Sequence, residues 1–145
     1  MSRVEWNKAA EVLAARPNVV AAWGFGSARG GEVRPGGDVD VGILFGRKPS
    51  LDELAEMRAD LQQRLGQEEI DLVVLNDASS ILRFEAVSSR LLFCRDEEAK
   101  AGFVSLTARE YEDDMALLRK GLAASPSRAQ RRFRRGFRRP GSTPG

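Results

Sequence analysis

The pattern of apolar and polar residues along the chain predicts four helices and four strands. Apolar residues recur every three or four positions in the helical segments, whereas the strand segments are short, apolar and rich in β-branched residues. The predicted helices are Ser2–Ala15, Leu51–Leu65, Ala78–Ser88 and a last helix from a cap at Asp96 to Leu122 with a break near Thr107; the predicted strands are Val19–Phe25, Asp38–Phe45, Glu69–Asn76 and Arg90–Cys94. This order predicts the α/β (α+β) class, with a small mixed sheet of about four strands flanked by helices.

Local signals define the connections between these elements. Ser50 followed by Glu53 is a capping-box pattern, and Gly66 ends the apolar repeat of the same helix. Residues 32–37 contain Pro35 and two glycines, so we predict a turn or loop between the first two strands.

The composition limits the kind of protein and the kind of chemistry. The chain has 145 residues, 42% hydrophobic and 30% charged, which is typical of one globular domain. No run approaches the ~20 apolar residues of a membrane span, and the polar start does not resemble a signal peptide, so we expect a cytoplasmic protein without a membrane partner. There is no histidine, and Cys94 lies among apolar neighbours typical of a buried small residue. Any catalysis must therefore use carboxylates, hydroxyls, Arg or Lys, and a metal with oxygen ligands.

Charge is unevenly distributed between the body of the chain and its end. Residues 128–145 contain seven of the 23 basic residues and none of the 21 acidic ones, so the preceding part has 16 basic residues and a net charge of −5. We predict a folded domain over residues 1–124 and a disordered Arg-rich tail over residues 125–145. The tail could bind nucleic acid or an acidic partner through its arginines, or it could be a solubilising extension; the sequence leaves both open.

Three aspartates in the predicted strands are candidates for a metal site. Asp38 and Asp40 are two residues apart, so the alternation of a strand places both carboxylates on one face. Asp71 lies in the third predicted strand, and a neighbouring strand could bring it beside the first two. Clustered carboxylates repel one another unless a cation lies among them, and their hard oxygen atoms suit Mg²⁺ or Mn²⁺. Two such ions ~4 Å apart are a common device for displacement at phosphorus.

The residues that follow the first strand are candidates for a phosphate site. Gly26 would let the backbone approach a ligand closely, and Ser27 offers a hydroxyl. A short helical turn starting at Ala28 would direct backbone N–H groups toward an anion. Arg29 could contact phosphate or a partner, or be an ordinary surface arginine. Together with the aspartates, this turn indicates a nucleoside triphosphate bound as its metal complex.

Each feature also has an ordinary structural explanation. The Gly-Ser pair alone fits a strand-to-helix turn, the aspartate pair fits a solvated edge strand, and Asp71 fits a residue near an exposed strand end. Trp23 and Phe25 are expected in the core rather than as a platform for a base. The agreement of three separate features in one order favours the catalytic interpretation.

These motifs resemble those of a known family. The segments Gly26-Ser27-Ala28-Arg29-Gly30 and Asp38-Val39-Asp40, followed by Asp71, resemble the signature of the polymerase-beta nucleotidyltransferase superfamily. The short chain and the stretch from Ile81 to Glu98 are more narrowly similar to minimal nucleotidyltransferases (MNT) that act as antitoxins of HEPN-type toxins. The resemblance covers roughly residues 4–122 and implies the nucleotidyltransferase fold.

The resemblance implies a role for each matching residue. The amides around Gly26 and the side chain of Ser27 would bind the triphosphate of ATP. The metal ligands would be Asp38, Asp40 and Asp71, holding two Mg²⁺ ions, and Asp71 would help to deprotonate the attacking hydroxyl. Attack at the α-phosphorus would release pyrophosphate and leave AMP on a tyrosine of a partner HEPN-type toxin.

The chain departs from the family pattern at one position. Family members usually carry serine immediately before the first aspartate, where this chain has Gly37. The change removes a hydroxyl near the site but no metal ligand.

Two alternatives remain open from the sequence. The chain could neutralise a toxin simply by covering the active site of the toxin. In that case the three carboxylates of this chain would be remnants without a catalytic role. It could also transfer a nucleotide to a small hydroxylated molecule, although little chain remains to build a separate pocket for one.

Overall fold

The structure, a computed structural model, describes residues 2–33 and 37–121, and in these ranges it has six strands and four helices. In chain order they are β1 (Ser2–Arg3), α1 (Trp6–Ala14), β2 (Val19–Phe25), β3 (Glu32–Val33), β4 (Val39–Phe45), α2 (Leu51–Leu65), β5 (Ile70–Val74), α3 (Ser80–Val87), β6 (Arg90–Cys94) and α4 (Glu97–Arg119). The predicted tail over residues 125–145 and the predicted helix end at Leu122 lie outside the described residues. None of the helices in the described ranges is long and apolar enough to cross a membrane.

Four strands form the main sheet in the order β5-β4-β2-β6. β2 is antiparallel to both of its neighbours, β4 and β6, whereas β4 and β5 are parallel. The parallel pair requires a crossover, which α2 provides. The prediction of a small mixed sheet of four strands is therefore confirmed. β1 and β3 pair separately as a two-stranded antiparallel sheet.

Helices cover both faces of the main sheet. Val39, Val41 and Ile43 of β4 belong to the hydrophobic cluster that also contains residues of α1 and α2. On the other face, Trp23 and Phe25 belong to a second cluster beneath α3 and α4, and they are only 3% and 0% exposed. Both aromatic residues are thus core residues, as predicted. The carboxyl end of β2 and the amino ends of β4 and β5 lie side by side at one end of the main sheet.

The helix α2 begins and ends at the residues that the sequence predicted. The amide of Glu53 donates to Ser50 Oγ at 3.0 Å, and the amide of Ser50 donates to Glu53 Oε1 at 3.4 Å. Gly66 ends the helix in the left-handed conformation, with φ of 65°. The local capping signals were sufficient here because both partners lie within one turn of the helix.

The first helix begins later than predicted, at Trp6. The two residues of β1 pair with β3, and the amide of Val4 donates to the carbonyl of Gly31 at 2.7 Å. These hydrogen bonds hold the chain extended where the apolar spacing had indicated a helix. The same pairing makes the start of the predicted loop over residues 32–37 a strand, while residues 34–36 lie outside the described ranges.

The last helix has no break near Thr107, contrary to the prediction. Thr107 is fully buried within the continuous α4, which packs against α3. The rings of Phe84 and Tyr111 stack with their centroids 4.0 Å apart, and Arg83 lies 3.3 Å from Glu110. The low helix propensity of a β-branched residue costs less than 1 kcal/mol, so tertiary packing outweighs it.

The third strand of the main sheet, β5, ends at Val74 rather than at Asn76. Residues Leu75–Asp77 form a 3-10 turn, and the side chain of Asn76 continues the pairing in place of the backbone. Its Nδ2 donates to the carbonyl of Phe45 at 2.8 Å, and the amide of Phe45 donates to its Oδ1 at 2.9 Å. This arrangement satisfies the backbone of Phe45 while the chain turns toward α3.

Candidate functional site

Asp40 and Asp71 lie side by side on neighbouring strands. They are Cα partners in the parallel pairing of β4 with β5, and Asp40 is also the Cα partner of Phe25 in β2. Asp71 is 1% exposed, whereas Asp40 is partly buried. Because paired residues point to the same face, both carboxylates belong to the face covered by α3 and α4. Alternation within each strand had predicted which neighbours share a side with each aspartate, but it could not predict the register between the two strands.

The Gly-Ser turn, the 3-10 turn over Gly26–Ala28, lies directly beside Asp40, one member of this pair. Gly26 has φ of 78°, a conformation that glycine adopts without a steric penalty. A Cβ added to Gly26 would lie 2.2 Å from Asp40 Oδ2, so the carboxylate occupies the space beside the bare Cα. The turn predicted for phosphate and an aspartate predicted for metal are therefore in contact, although 14 positions separate them in the chain.

The Gly-Ser turn begins two residues earlier than predicted, at Gly26 instead of Ala28. Ala28 is fully buried and anchors the turn, while Ser27 is exposed. The backbone amide of Arg29 and its Nη1 both donate to the carbonyl of Gly26, at 3.2 and 3.1 Å. The exposed side chain of Arg29 thus folds back over the turn.

Asp38 lies at the entrance of β4, directly before the first paired residue. It is partly buried, as is Gly37, and the amide of Val39 donates to the carbonyl of Glu69 at 2.8 Å. Within residues 2–33 and 37–121, no group of three or more Cys, Asp or Glu side chains is arranged to hold a metal ion. The structure places Asp40 beside Asp71. A metal site that also includes Asp38 stays a prediction.

The pair of carboxylates suits a hard divalent cation. Mg²⁺ prefers oxygen ligands, and in phosphate-transfer sites it commonly uses one or two protein carboxylates together with phosphate oxygens and water. Asp40 and Asp71 supply two such carboxylates at one register position of the sheet. The donor atoms therefore fit a cation whose coordination is completed by a phosphorylated ligand.

Two supports of the Gly-Ser turn were not predicted from the sequence. The hydrogen bond from Val4 holds Gly31, which has φ of 99°, in the loop after the turn. A Cβ added to Gly24 would lie 2.8 Å from the ring of Trp6, so this ring packs against the strand just before the turn. Two-residue strands have no measurable alternation, and a contact between Trp6 and Gly24 has no local sequence signal.

Known structures share this arrangement of helices and strands. One is a toxin-antitoxin crystallised with AMP-PNP, with a TM-score of 0.66 and 22% identity over 81% of this chain and 98% of the matched chain. A complex of the tri-AMPylated HEPN toxin of Shewanella oneidensis with its MNT antitoxin gives 0.61 and 21% over 79% and 93%. The MntA-HepT toxin-antitoxin gives 0.60 and 21% over 79% and 94%. At these identities the similarity establishes the fold alone.

The family of the chain is established by its sequence. No curated protein gives a significant match to it. The family model described as polymerase beta, nucleotidyltransferase, however, matches residues 7–98, which is more than half of the chain. The matched segment runs from α1 into the first turn of α4 and includes the Gly-Ser turn and all three candidate aspartates. The chain therefore belongs to the polymerase beta nucleotidyltransferase family.

Proposed function

We propose that this nucleotidyltransferase uses Mg²⁺ and ATP to transfer AMP to a tyrosine of a HEPN-type toxin, and thereby acts as the antitoxin. The observation that carries the proposal is the placement of Asp40 between Gly26 and Asp71. The similar folds support the choice of substrate and partner, because they include a toxin-antitoxin with AMP-PNP and a complex that contains an AMPylated HEPN toxin.

The site residues divide into those that hold the cation and those that hold phosphate. Asp40 and Asp71 would hold Mg²⁺, with Asp38 as a further ligand, and two ions are expected. Bound there, the cations would neutralise phosphate charge and stabilise the leaving group. The backbone of the Gly-Ser turn, the hydroxyl of Ser27 and the guanidinium of Arg29 would bind the phosphate chain.

The transfer is a displacement at the α-phosphorus of ATP. The oxygen of the tyrosine hydroxyl forms a bond to this phosphorus, and the bond from the phosphorus to the bridging oxygen of pyrophosphate breaks. The carboxylate of Asp71 accepts the proton of the hydroxyl. Because Asp71 is only 1% exposed, the surrounding protein restricts the positions that its carboxylate can adopt.

The proposal is tested with the chain, ATP, Mg²⁺ and the product of the adjacent gene. Mass spectrometry should detect an AMP adduct on a tyrosine of that product, and the adduct should be lost without Mg²⁺. The double variant Asp38→Asn with Asp40→Asn should form no adduct and should not protect cells from the toxin. Asp113→Asn, at an exposed position of α4, is the matched control and should behave as wild type.

Two results would contradict the proposal in different ways. Full protection by the double variant would show that the chain neutralises the toxin by covering it rather than by chemistry. Transfer of the nucleotide to small hydroxylated compounds, with no adduct on the protein, would keep the chemistry and replace the acceptor.

A further inference from the structure

The end of α4 begins a strongly basic part of the chain. Arg119 and Lys120 are exposed there, and they form no ion pair with other residues of the described ranges. No acidic residue follows Asp114 in the sequence, whereas residues 119–145 contain nine of the 23 basic residues. Residues 1–118 therefore contain 14 basic and 21 acidic residues, a net charge of −7. The positive charge of the chain is concentrated at one end of an acidic domain.

The helix α4 carries this charge away from the paired aspartates. Those aspartates lie near the amino ends of β4 and β5, whereas α3 follows the carboxyl end of β5. The two helices are antiparallel, because Glu110 lies beside Arg83 and, further along α4, Asp114 accepts a hydrogen bond from Ser80, the first residue of α3. Five more residues of helix rise ~7 Å to Arg119. A ligand bound to the basic end would therefore not occupy the nucleotide site.

The sequence beyond the described ranges contains groups that suit phosphates and bases. Residues 128–139 include seven arginines and no lysine, and Phe133 and Phe137 lie among them in the segment R-R-F-R-R-G-F-R-R over residues 131–139. A planar guanidinium donates paired hydrogen bonds to phosphate, and an aromatic ring stacks on an unpaired base. The interleaving of these two groups complements the alternation of phosphate and base along a single strand.

We propose that residues 119–139 bind a single-stranded nucleic acid, with the arginines on its phosphates and the two phenylalanines stacked on its bases. This binding is separate from the proposed AMP transfer, because the segment begins at the opposite end of the sheet from the carboxylates. Two large apolar residues offer little area for insertion into a membrane, and an acidic peptide has no base on which they could stack. The pattern therefore favours a nucleic acid over these other polyanions.

The first measurement is the salt dependence of binding. The full chain is titrated into labelled RNA and DNA single strands of one mixed sequence, and fluorescence anisotropy reports the affinity. The logarithm of the affinity should fall by about 0.7 per phosphate contact for each tenfold increase in salt. With roughly five to seven contacts, binding should weaken about 100-fold to 1,000-fold between about 50 and 200 mM salt. A comparison of the two strands identifies which of them the segment prefers.

Full-chain variants test the two kinds of contact separately. Arg131→Gln with Arg132→Gln should weaken binding and lower the salt slope by about 1.4, since two phosphate contacts are lost. Lys48→Gln with Arg109→Gln removes two exposed cations of the acidic domain and serves as the matched control, which should bind as the wild type does. Phe133→Ala and Phe137→Ala should each weaken binding roughly fivefold to 100-fold without changing the salt slope.

Several results would overturn the proposal. These are undiminished binding after all seven arginines of residues 128–139 are replaced with Gln, or an unchanged affinity of both Phe variants. Tighter binding to vesicles that contain phosphatidylserine would assign the segment to a membrane instead, and equally effective competition by polyglutamate would assign it to an acidic protein. The Arg131 and Arg132 double variant should transfer AMP at the wild-type rate. Loss of strand binding with transfer intact would support the proposal, and absence of transfer in the wild type would contradict only the proposed function.

Discussion

Replacing Gly26 with alanine should remove activity while leaving the fold in place. The added Cβ would lie 2.2 Å from Asp40 Oδ2 and 3.2 Å from its Cγ. Non-bonded carbon and oxygen atoms do not approach closer than about 3 Å, so the carboxylate must move by roughly 1 Å or more. The nearest obstacle is the end of a side chain, which can rotate away without disturbing the sheet. The group that yields is therefore the proposed metal ligand.

The expected magnitudes follow from these two effects. A side chain at φ of 78° costs about 1–2 kcal/mol of stability, which corresponds to a decrease of roughly 3–8 °C in the unfolding temperature. A displacement of ~1 Å in a catalytic constellation can cost about 100-fold in rate. We thus expect Gly26→Ala to remain folded with a modest loss of stability and a transfer rate reduced at least about 100-fold.

Two other glycines separate the strain of the backbone from the displacement of Asp40. Gly66 also has a positive φ, of 65°, but an added Cβ there meets nothing within 4 Å. Gly66→Ala should lower stability by a similar amount and leave activity intact. Gly30 lies beside the turn, lacks a positive φ and also has open space around it, so Gly30→Ala should change neither quantity.

The assay is the rate of AMP transfer at saturating ATP and Mg²⁺, measured beside thermal unfolding of the same samples. A Gly26→Ala variant that transfers AMP at the wild-type rate would refute the reasoning, because Asp40 would then tolerate displacement. A rate that falls equally in Gly66→Ala would also refute it, since the loss would follow stability rather than the site.

Three further predictions concern α3, α4 and the end of β6. Arg83→Ala should lower the free energy of unfolding by about 2–4 kcal/mol in denaturant titration. The change leaves two carbonyls of the turn after β5 and the carboxylate of Glu110 without their hydrogen-bond donor. A loss below about 1 kcal/mol would contradict this prediction. Thr107→Val should keep or raise stability, by up to about 2 kcal/mol, because its buried hydroxyl has no hydrogen-bond partner in the described ranges. Burial and the nearby Glu97 carboxylate raise the pKa of Cys94, so labelling by a thiol reagent should require a higher pH than for a free thiol, and Glu97→Gln should lower that pH.

The faces of the strands could be predicted because they depend on alternation within one segment. The sequence placed Asp40 on the side opposite Val39 and Val41, and Asp71 on the side of Val73, as the structure has them. What it could not provide was the register that makes the two aspartates partners. Register depends on contacts between strands and on the crossover helix, and no local pattern contains that information.

The predictions that were wrong share a physical cause. Residues 2–3 were included in the predicted first helix because apolar residues recur at helical spacing after them, yet backbone pairing with β3 determines their conformation. Thr107 has a weak helix propensity, yet packing of α4 on α3 keeps the helix continuous. In both places contacts with a distant part of the chain outweigh local preferences of a few tenths of a kcal/mol.

The parallel pairing of β4 with β5 has a consequence for folding. Asp40 and Asp71 become neighbours only after α2 has closed a crossover of about 30 residues, and β4 must also have paired with β2 to bring Gly26 to the same place. Contacts of such sequence separation form late and together, because the chain entropy lost in closing the loop is repaid only by the complete sheet. We therefore expect no partly folded form of the chain to retain the site. In a denaturant titration, transfer activity and secondary structure should disappear in one common transition.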